Sequence, residues 1–230
     1  AAGYTDDTLA LNLRSSRGEV KTVFGGLYAG ALYGALDIKL GVMGGGTQAT
    51  TQRTVLFPSF MDTAHGRGDG TLVQGFGEVG YRIGLPEGAA RGYVEPVVQG
   101  AVIHVDQDGL RETGGSAALR VSSRSADVGT TTLGVRSEVS LSAALPVMAH
   151  GFVGWRRAFG DVVPRALVGF GGGATPFAVA GTPIDRNAAV AEFGLDYRAS
   201  AAMTLGVSYS AQVGSRASDQ SVKGRLEYRF

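Results

Sequence analysis

Ser221-Val-Lys-Gly-Arg-Leu-Glu-Tyr-Arg-Phe230 closes the chain and decides its fold. Val222, Gly224, Leu226, Tyr228 and Phe230 share one parity; Lys223, Arg225, Glu227 and Arg229 share the other. That is the period of a β-strand with one apolar and one charged face. A basic side chain held against lipid at mid-bilayer costs roughly 2–4 kcal/mol, less towards the interfaces. The charged face must therefore look into a wet lumen or bulk water.

The same alternation recurs upstream. Met203, Leu205, Val207, Tyr209 and Val213 alternate with Thr204, Gly206, Ser208, Ser210 and Gln212. Phe193, Leu195 and Tyr197 alternate with Glu192, Asp196 and Arg198; Thr131, Leu133, Val135, Val139 and Leu141 alternate with Arg136, Glu138 and Ser140. Val79, Tyr81 and Ile83 alternate with Gln74, Glu78 and Arg82. Each run is about the 9–11 residues that a tilted strand needs to cross a bilayer. A soluble sandwich shares this period, so strand length, regularity and the terminal strand must separate the two.

The links supply a second argument. Gly84–Arg91, Ala144–Pro146 and Ala199–Ala202 read as short turns. Gly44–Gly70, Asp106–Asp127, Gly160–Asn187 and Gly214–Gln220 read as longer connections rich in Gly, Ser, Asp and Arg. Short and long alternate, as in outer-membrane barrels with short periplasmic turns and longer external loops. Placing the C-terminal end in the periplasm makes every long link external. Arg165–Phe170 has strand character, but as a spanning strand it would put a long loop on the wrong side, so it is assigned to an external hairpin. The reading predicts ten spanning strands, near 1–13, 20–32, 36–46, 71–83, 92–105, 128–142, 147–159, 189–199, 203–213 and 221–230.

Composition agrees. The chain has 230 residues, 37 Gly, 7 Pro, no Cys, a formal charge of +1 and 44% hydrophobic residues. Near-neutral charge gives no electrostatic reason for nucleic acid as a partner. The absence of Cys removes disulfides, thiolate metal sites and thiol nucleophiles. No run of apolar residues is long enough for a transmembrane helix. Ala1-Ala-Gly-Tyr-Thr-Asp-Asp7 has neither a basic nor an apolar leader region, so a signal peptide is expected to have been removed or the chain to derive from a longer precursor.

Motifs that could carry chemistry are weak. Gly75-Phe-Gly-Glu-Val-Gly80 has dinucleotide-binding spacing, but it continues a strand and no helix follows. His65, His104 and His150 lack metal-ligand spacing, and no nucleophile-elbow sequence is present. No catalytic, cofactor or metal site is assigned. The candidate functional residues are the charges of the inner wall: Glu78, Arg82, Glu95, Arg136, Glu138, Arg156, Glu192, Asp196, Arg198, Lys223, Arg225 and Glu227. Their mixed signs suit a self-compensating network lining a pore. Trp155, Tyr81, Tyr197, Tyr209, Tyr228 and Phe230 are candidates for the aromatic girdles at the interfaces.

Phe76-Gly-Glu-Val-Gly-Tyr81, Val94-Glu-Pro96, Gly154-Trp-Arg-Arg-Ala-Phe-Gly-Asp161, Pro176-Phe-Ala-Val-Ala-Gly-Thr-Pro183, Leu205-Gly-Val-Ser-Tyr209 and Leu226-Glu-Tyr-Arg-Phe230, in that order and spacing, resemble the C-terminal translocator domain of autotransporters. These are the type V secretion proteins of Gram-negative bacteria. The resemblance implies an all-β, antiparallel transmembrane barrel of twelve strands, of which ten are visible here, with a helix in its pore joined to an upstream passenger. Ala1-Ala-Gly-Tyr4 resembles the third strand of the family, so the pore helix and first two strands are expected to be absent from this chain. The implied function is outer-membrane anchoring and export of the passenger, without bond-making chemistry. The implied partners are the lipid bilayer, the barrel-assembly machinery, the chain's own passenger and linker helix, with the barrel a monomer. Val222, Leu226, Tyr228 and Phe230 resemble the C-terminal signal that the insertion machinery reads. A passive porin or a loop-mediated adhesin is the alternative.

Overall fold

The computed structural model describes residues 1–11, 16–86, 91–141, 146–173 and 175–229. Among these, every regular element is a β-strand, in the order β1 (Ala2–Leu11), β2 (Ser16–Tyr33), β3 (Leu36–Phe57), β4 (Phe60–Tyr81), β5 (Ile83–Gly84), β6 (Gly92–Gln107), β7 (Leu110–Gly114), β8 (Leu119–Val121), β9 (Arg124–Ser140), β10 (Val147–Gly160), β11 (Arg165–Phe170), β12 (Phe177–Ala180), β13 (Asn187–Arg198), β14 (Met203–Gly214) and β15 (Ser218–Tyr228).

Ten of them form an antiparallel meander, β1-β2-β3-β4-β6-β9-β10-β13-β14-β15, each pairing with its predecessor in the path. These are the ten strands expected from the alternation. Among the described residues β1 pairs only with β2, and β15 only with β14, so the curled sheet is open.

The register turns the parity of the sequence into two faces. Outward stand Leu27, Val98, Val102, Val153, Phe193, Val207, Val213, Val222 and Leu226, each at least half exposed. The buried apolar residues are mostly small (Ala64, Val97, Ala126, Ala158, Ala188 and Val190 among them), whereas Glu95 has no exposure at all. A water-soluble protein has the reverse distribution. Here the apolar groups are outside because lipid is the outer solvent, and the polar groups are inside because the lumen is wet.

The long links differ from expectation. Gly44–Gly70 is not a loop: β3 and β4 remain paired through it, up to Phe57↔Phe60 around Pro58-Ser59. Proline precedes a positive-φ residue there, Ser59 at 69°, the backbone pattern of a type II turn. The apolar alternation fades because the hairpin tip clears the bilayer. The strand persists because Thr47, Thr50, Thr51 and Thr54 favour extended backbone on either face. Asp106–Asp127 likewise holds β7 and β8, which pair with each other, with β7 also on β4. Arg165–Phe170 is β11, paired with β8 and β12 and off the meander, so it is a hairpin strand and not one of the ten that follow one another round the sheet. Gly214–Gln220 is a tight turn, with Gly214 N–H donating to the Ala217 carbonyl at 2.9 Å. The Gly75–Gly80 motif lies within β4, so no helix N-terminus exists to hold a phosphate.

Close aromatic packing on the inner face uses glycine as its socket. A Cβ on Gly134 would stand 2.6 Å from the Phe152 ring and 2.7 Å from the Val153 carbonyl. Overpacking of this kind typically costs 1–3 kcal/mol. Gly134→Val is therefore expected to lower the temperature at which the folded barrel loses its fast electrophoretic mobility. Gly100→Val, at a glycine with open space beside it, should leave that temperature nearly unchanged.

Candidate functional site

The inner wall is built where rows of register partners cross the sheet. One row runs Lys39↔Glu78↔Gln99↔Thr132↔Arg156 across β3, β4, β6, β9 and β10. Four residues earlier on β6, Glu95↔Arg136↔Phe152↔Glu192 continues from β6 to β13. Because facing strands alternate in phase, every polar member of both rows points inward.

These rows hold a clamp of charge. Glu78 accepts from Lys39 Nζ at 2.8 Å, Gln99 Nε2 at 2.6 Å and Arg136 at 2.7 Å. Arg136 also reaches Glu95 at 3.3 Å, and Arg82 pairs with Asp37 at 2.5 Å and faces Glu95 at 3.4 Å. The Arg82 guanidinium lies 4.7 Å from the centroid of the Tyr93 ring, a cation–π contact. Arg82 Nε and Glu95 Oε2 have no hydrogen bond even though the two groups sit within ion-pair distance. Their attraction is Coulombic rather than directional, and the carboxylate relies on two guanidiniums for its charge balance. Glu95 also fills the space above Gly80, where a Cβ would collide with its carboxylate.

Farther round the wall, Arg156 donates to Thr132 Oγ1 at 3.2 Å and to Gln212 at 2.8 Å, which ties β10 to β14 across β13. Asp196 pairs with Arg225 at 2.9 Å and with His150 at 3.5 Å. Glu138 receives the Tyr93 hydroxyl at 3.3 Å. Arg136, Glu138, Glu192, Asp196, Arg198, Lys223, Arg225 and Glu227 line one cavity of about 1560 Å³ on the concave side. Glu78, Arg82, Glu95 and Arg156 stand in the network beside it. All the expected inner-wall residues thus lie on one face, but they divide into a packed clamp on β3–β9 and a more open cationic and anionic lining on β10–β15.

Several contributors escaped the sequence reading. Asp37, Lys39, Tyr93, Gln99, Thr132 and Gln212 all serve the clamp or its extension. The signal was present for two of them: Asp37 and Lys39 alternate with Ile38 and Leu40 as the terminal charges alternate with their apolar partners. A second polar cluster sits at the hairpin end, where Arg53 binds Glu112 at 2.6 Å and the Ala117 carbonyl at 2.7 Å. Opposite it, the Asp185 carboxylate accepts from Ser215 Oγ and the Arg216 and Ala217 amides at 2.8–3.1 Å, which holds its pKa below the usual carboxylate range and pins the β14–β15 turn.

The outer ends of the wall carry the aromatics. Tyr81, Trp155, Tyr197, Tyr209 and Tyr228 are exposed on the apolar face. Within the C-terminal pattern, Val222, Leu226 and Tyr228 are exposed on that face at 59–72%. Phe230 lies outside the described residues. Among the described residues no group of His, Asp and Glu is arranged to hold a metal ion.

Comparison with known proteins adds sequence-level evidence. The family model described as the autotransporter beta-domain matches residues 1–210. Two curated relatives, each named extracellular serine protease from Serratia marcescens, are 29% and 27% identical over 99% and 89% of this chain. The chain spans only about a fifth of their length, 21% and 19%. Among solved structures, the translocator domain of autotransporter NalP from Neisseria meningitidis superposes with a TM-score of 0.70 at 16% identity, covering 94% of this chain and 69% of that one.

Proposed function

The chain belongs to the autotransporter β-domain family, and from that premise we propose that it carries a passenger polypeptide across the outer membrane through its charged lumen. The outer-membrane location in a Gram-negative bacterium follows from the family and from the lipid-facing apolar surface. The observation that carries the reading is the inside-out distribution of the sheet: exposed Val, Leu and aromatic residues on the convex face, and a fully buried Glu95 held in a mixed-charge wall on the other. A wall of both signs keeps the lumen wet without fixing either an acidic or a basic segment in place.

The hairpin tips Pro58-Ser59 and Gly115–Ala118 lie at the external end, and the C-terminus lies in the periplasm. This assignment rests on link lengths, since β3–β4 and the β7–β8 and β11–β12 hairpins all project from the same end. The free edges of β1 and β15 are each paired by a further strand of the complete protein, because unpaired backbone does not persist in hydrocarbon. The lumen holds a linker helix, the barrel-assembly machinery inserts the domain, and the barrel works as a monomer. The domain performs no bond-making chemistry of its own. The relatives are named as proteases, but this chain spans only about a fifth of their length, and that activity is not carried over to it.

The test is surface display. Intact cells expressing the full-length protein should present the passenger to added protease, and deletion of residues 1–230 should abolish that accessibility while leaving the passenger in the periplasm. Display unaffected by the deletion would overturn the export role. Large steady ion conductance from the full-length protein in planar bilayers, unchanged on removing the passenger and linker, would favour the passive pore.

A further inference from the structure

We propose that Arg67, Arg111 and Arg120 form a docking row for the phosphate groups of outer-leaflet glycolipid. The inference rests on the external placement of the hairpin end given above.

The three arginines are direct register partners. Arg67 of β4 faces Arg111 of β7, and Arg111 faces Arg120 of β8. Side chains so opposed have Cβ atoms about 4.5–5.5 Å apart, and like charges at that spacing repel. All three are exposed, and among the described residues none takes part in a salt bridge or a side-chain hydrogen bond. Elsewhere in this protein clustered guanidiniums are matched: Arg82 and Arg136 share Glu95, and Arg53 has Glu112. The row has Thr50 on one flank and Gly169 on the other, so no bulky side chain walls it off. The acids near it on the same face are already engaged: Asp69, two residues along β4, accepts a hydrogen bond from Gln48 at 3.2 Å, and Glu19, which faces Thr50 from β2, pairs with Lys21 at 2.9 Å.

The row also faces the correct way. Residues of odd number on β4 form its outward face, where Val73 and Val79 meet lipid and Arg67 follows them. The inward residues at the same level, Ala64 and Gly66, are buried beneath the β7 side chains. Six residues separate Arg67 from Val73 (73 − 67), and a strand tilted by about 40° climbs roughly 2.5 Å per residue along the barrel axis. Arg67 thus stands about 15 Å above Val73 and, 14 residues (81 − 67) from Tyr81 at the other end of β4, about 35 Å above that end. It lies roughly 10 Å past an apolar band about 25 Å tall that starts at Tyr81, among the headgroups. Three guanidinium forks in line, with no internal anion, match the bidentate geometry that phosphate oxygens accept.

The full-length protein in neutral maltoside detergent provides the test, with diphosphorylated lipid A as probe and its fully dephosphorylated form as control. At a hundredfold excess over its Kd, the diphosphorylated lipid should raise the unfolding midpoint of the wild type by roughly 5–10 °C. Raising salt should shrink the shift. In the R67Q/R111Q/R120Q variant the shift should vanish while the midpoint without lipid is unchanged or higher. An equal shift in that variant, an equal shift from the dephosphorylated lipid, or no shift in the wild type would each overturn the proposal. Labelling of S116C by an impermeant maleimide on intact cells, read against the unsubstituted protein, checks the placement separately, since residues 1–230 contain no cysteine of their own. A labelled S116C with no lipid shift rejects the docking row and leaves the export reading intact; an unlabelled S116C rejects the orientation itself.

Discussion

Replacing Arg136 with Met should destabilise the folded barrel by about 3–5 kcal/mol, the loss expected when one partner of a buried ion pair is removed. Arg136 is the shared cation of Glu78 and Glu95, at 2.7 and 3.3 Å. Glu95 is completely enclosed and keeps only Arg82, at 3.4 Å and without a hydrogen bond. Methionine matches much of the arginine stem but leaves two carboxylates crowded in a poorly solvated space. Heat-modifiability gels of outer-membrane fractions would show the variant unfolding at lower temperature. A second variant separates charge from packing: E95Q/R136M should be more stable than R136M alone. If R136M melts with the wild type, the clamp contributes nothing to stability and the inner wall is only a polar lining.

The other large effect concerns the faces of β14. Val207 points outward, 52% exposed and near the middle of Met203–Gly214, and Ser210 points inward opposite Glu192. Val207→Arg places a guanidinium in hydrocarbon at a cost of roughly 2–4 kcal/mol. Ser210→Arg gains an acidic neighbour and remains in water. Folded protein recovered in the outer membrane should fall sharply for the first substitution and little for the second. Equal losses would reject the assignment of inside and outside for the whole sheet, since every strand shares its phase with this one through the register.

How much of this was legible beforehand depends on the solvent each residue meets. On β9, β10, β13, β14 and β15 the outer face lies in lipid and the inner face in water, so selection for two solvents writes a clean alternation into residues such as Leu205–Val213 and Ser221–Phe230. The tips of β3 and β4 meet water on both faces. There Thr and Gln serve either side, the alternation disappears, and a paired hairpin reads as a loop. Most of the inner-wall charges could be named because a charge within the membrane-crossing part of a strand has only one tolerable direction. Gln99, Thr132 and Gln212 could not, because an uncharged polar residue is tolerated inside, at an interface or outside the membrane, and only the register shows that all three face the same water. The bonds within the clamp were beyond reach for the same reason: parity names the face, but the offset between strands decides which acid meets which base.

The placement of the clamp gives the wall uneven mechanical stiffness. Cross-strand ion pairs and the Gln99 bond knit β3, β4, β6 and β9 into one arc. Beyond it, among the described residues, β1–β2 is joined mainly through its backbone ladder, while the β10–β15 side is tied by the Arg156–Gln212, Tyr209–Gln220 and Ser210–Ser221 bonds and by Asp196 with Arg225 and His150. Under lateral pressure from the membrane the knitted arc holds its curvature, which makes β3, β4, β6 and β9 the stiff staves of the inner wall.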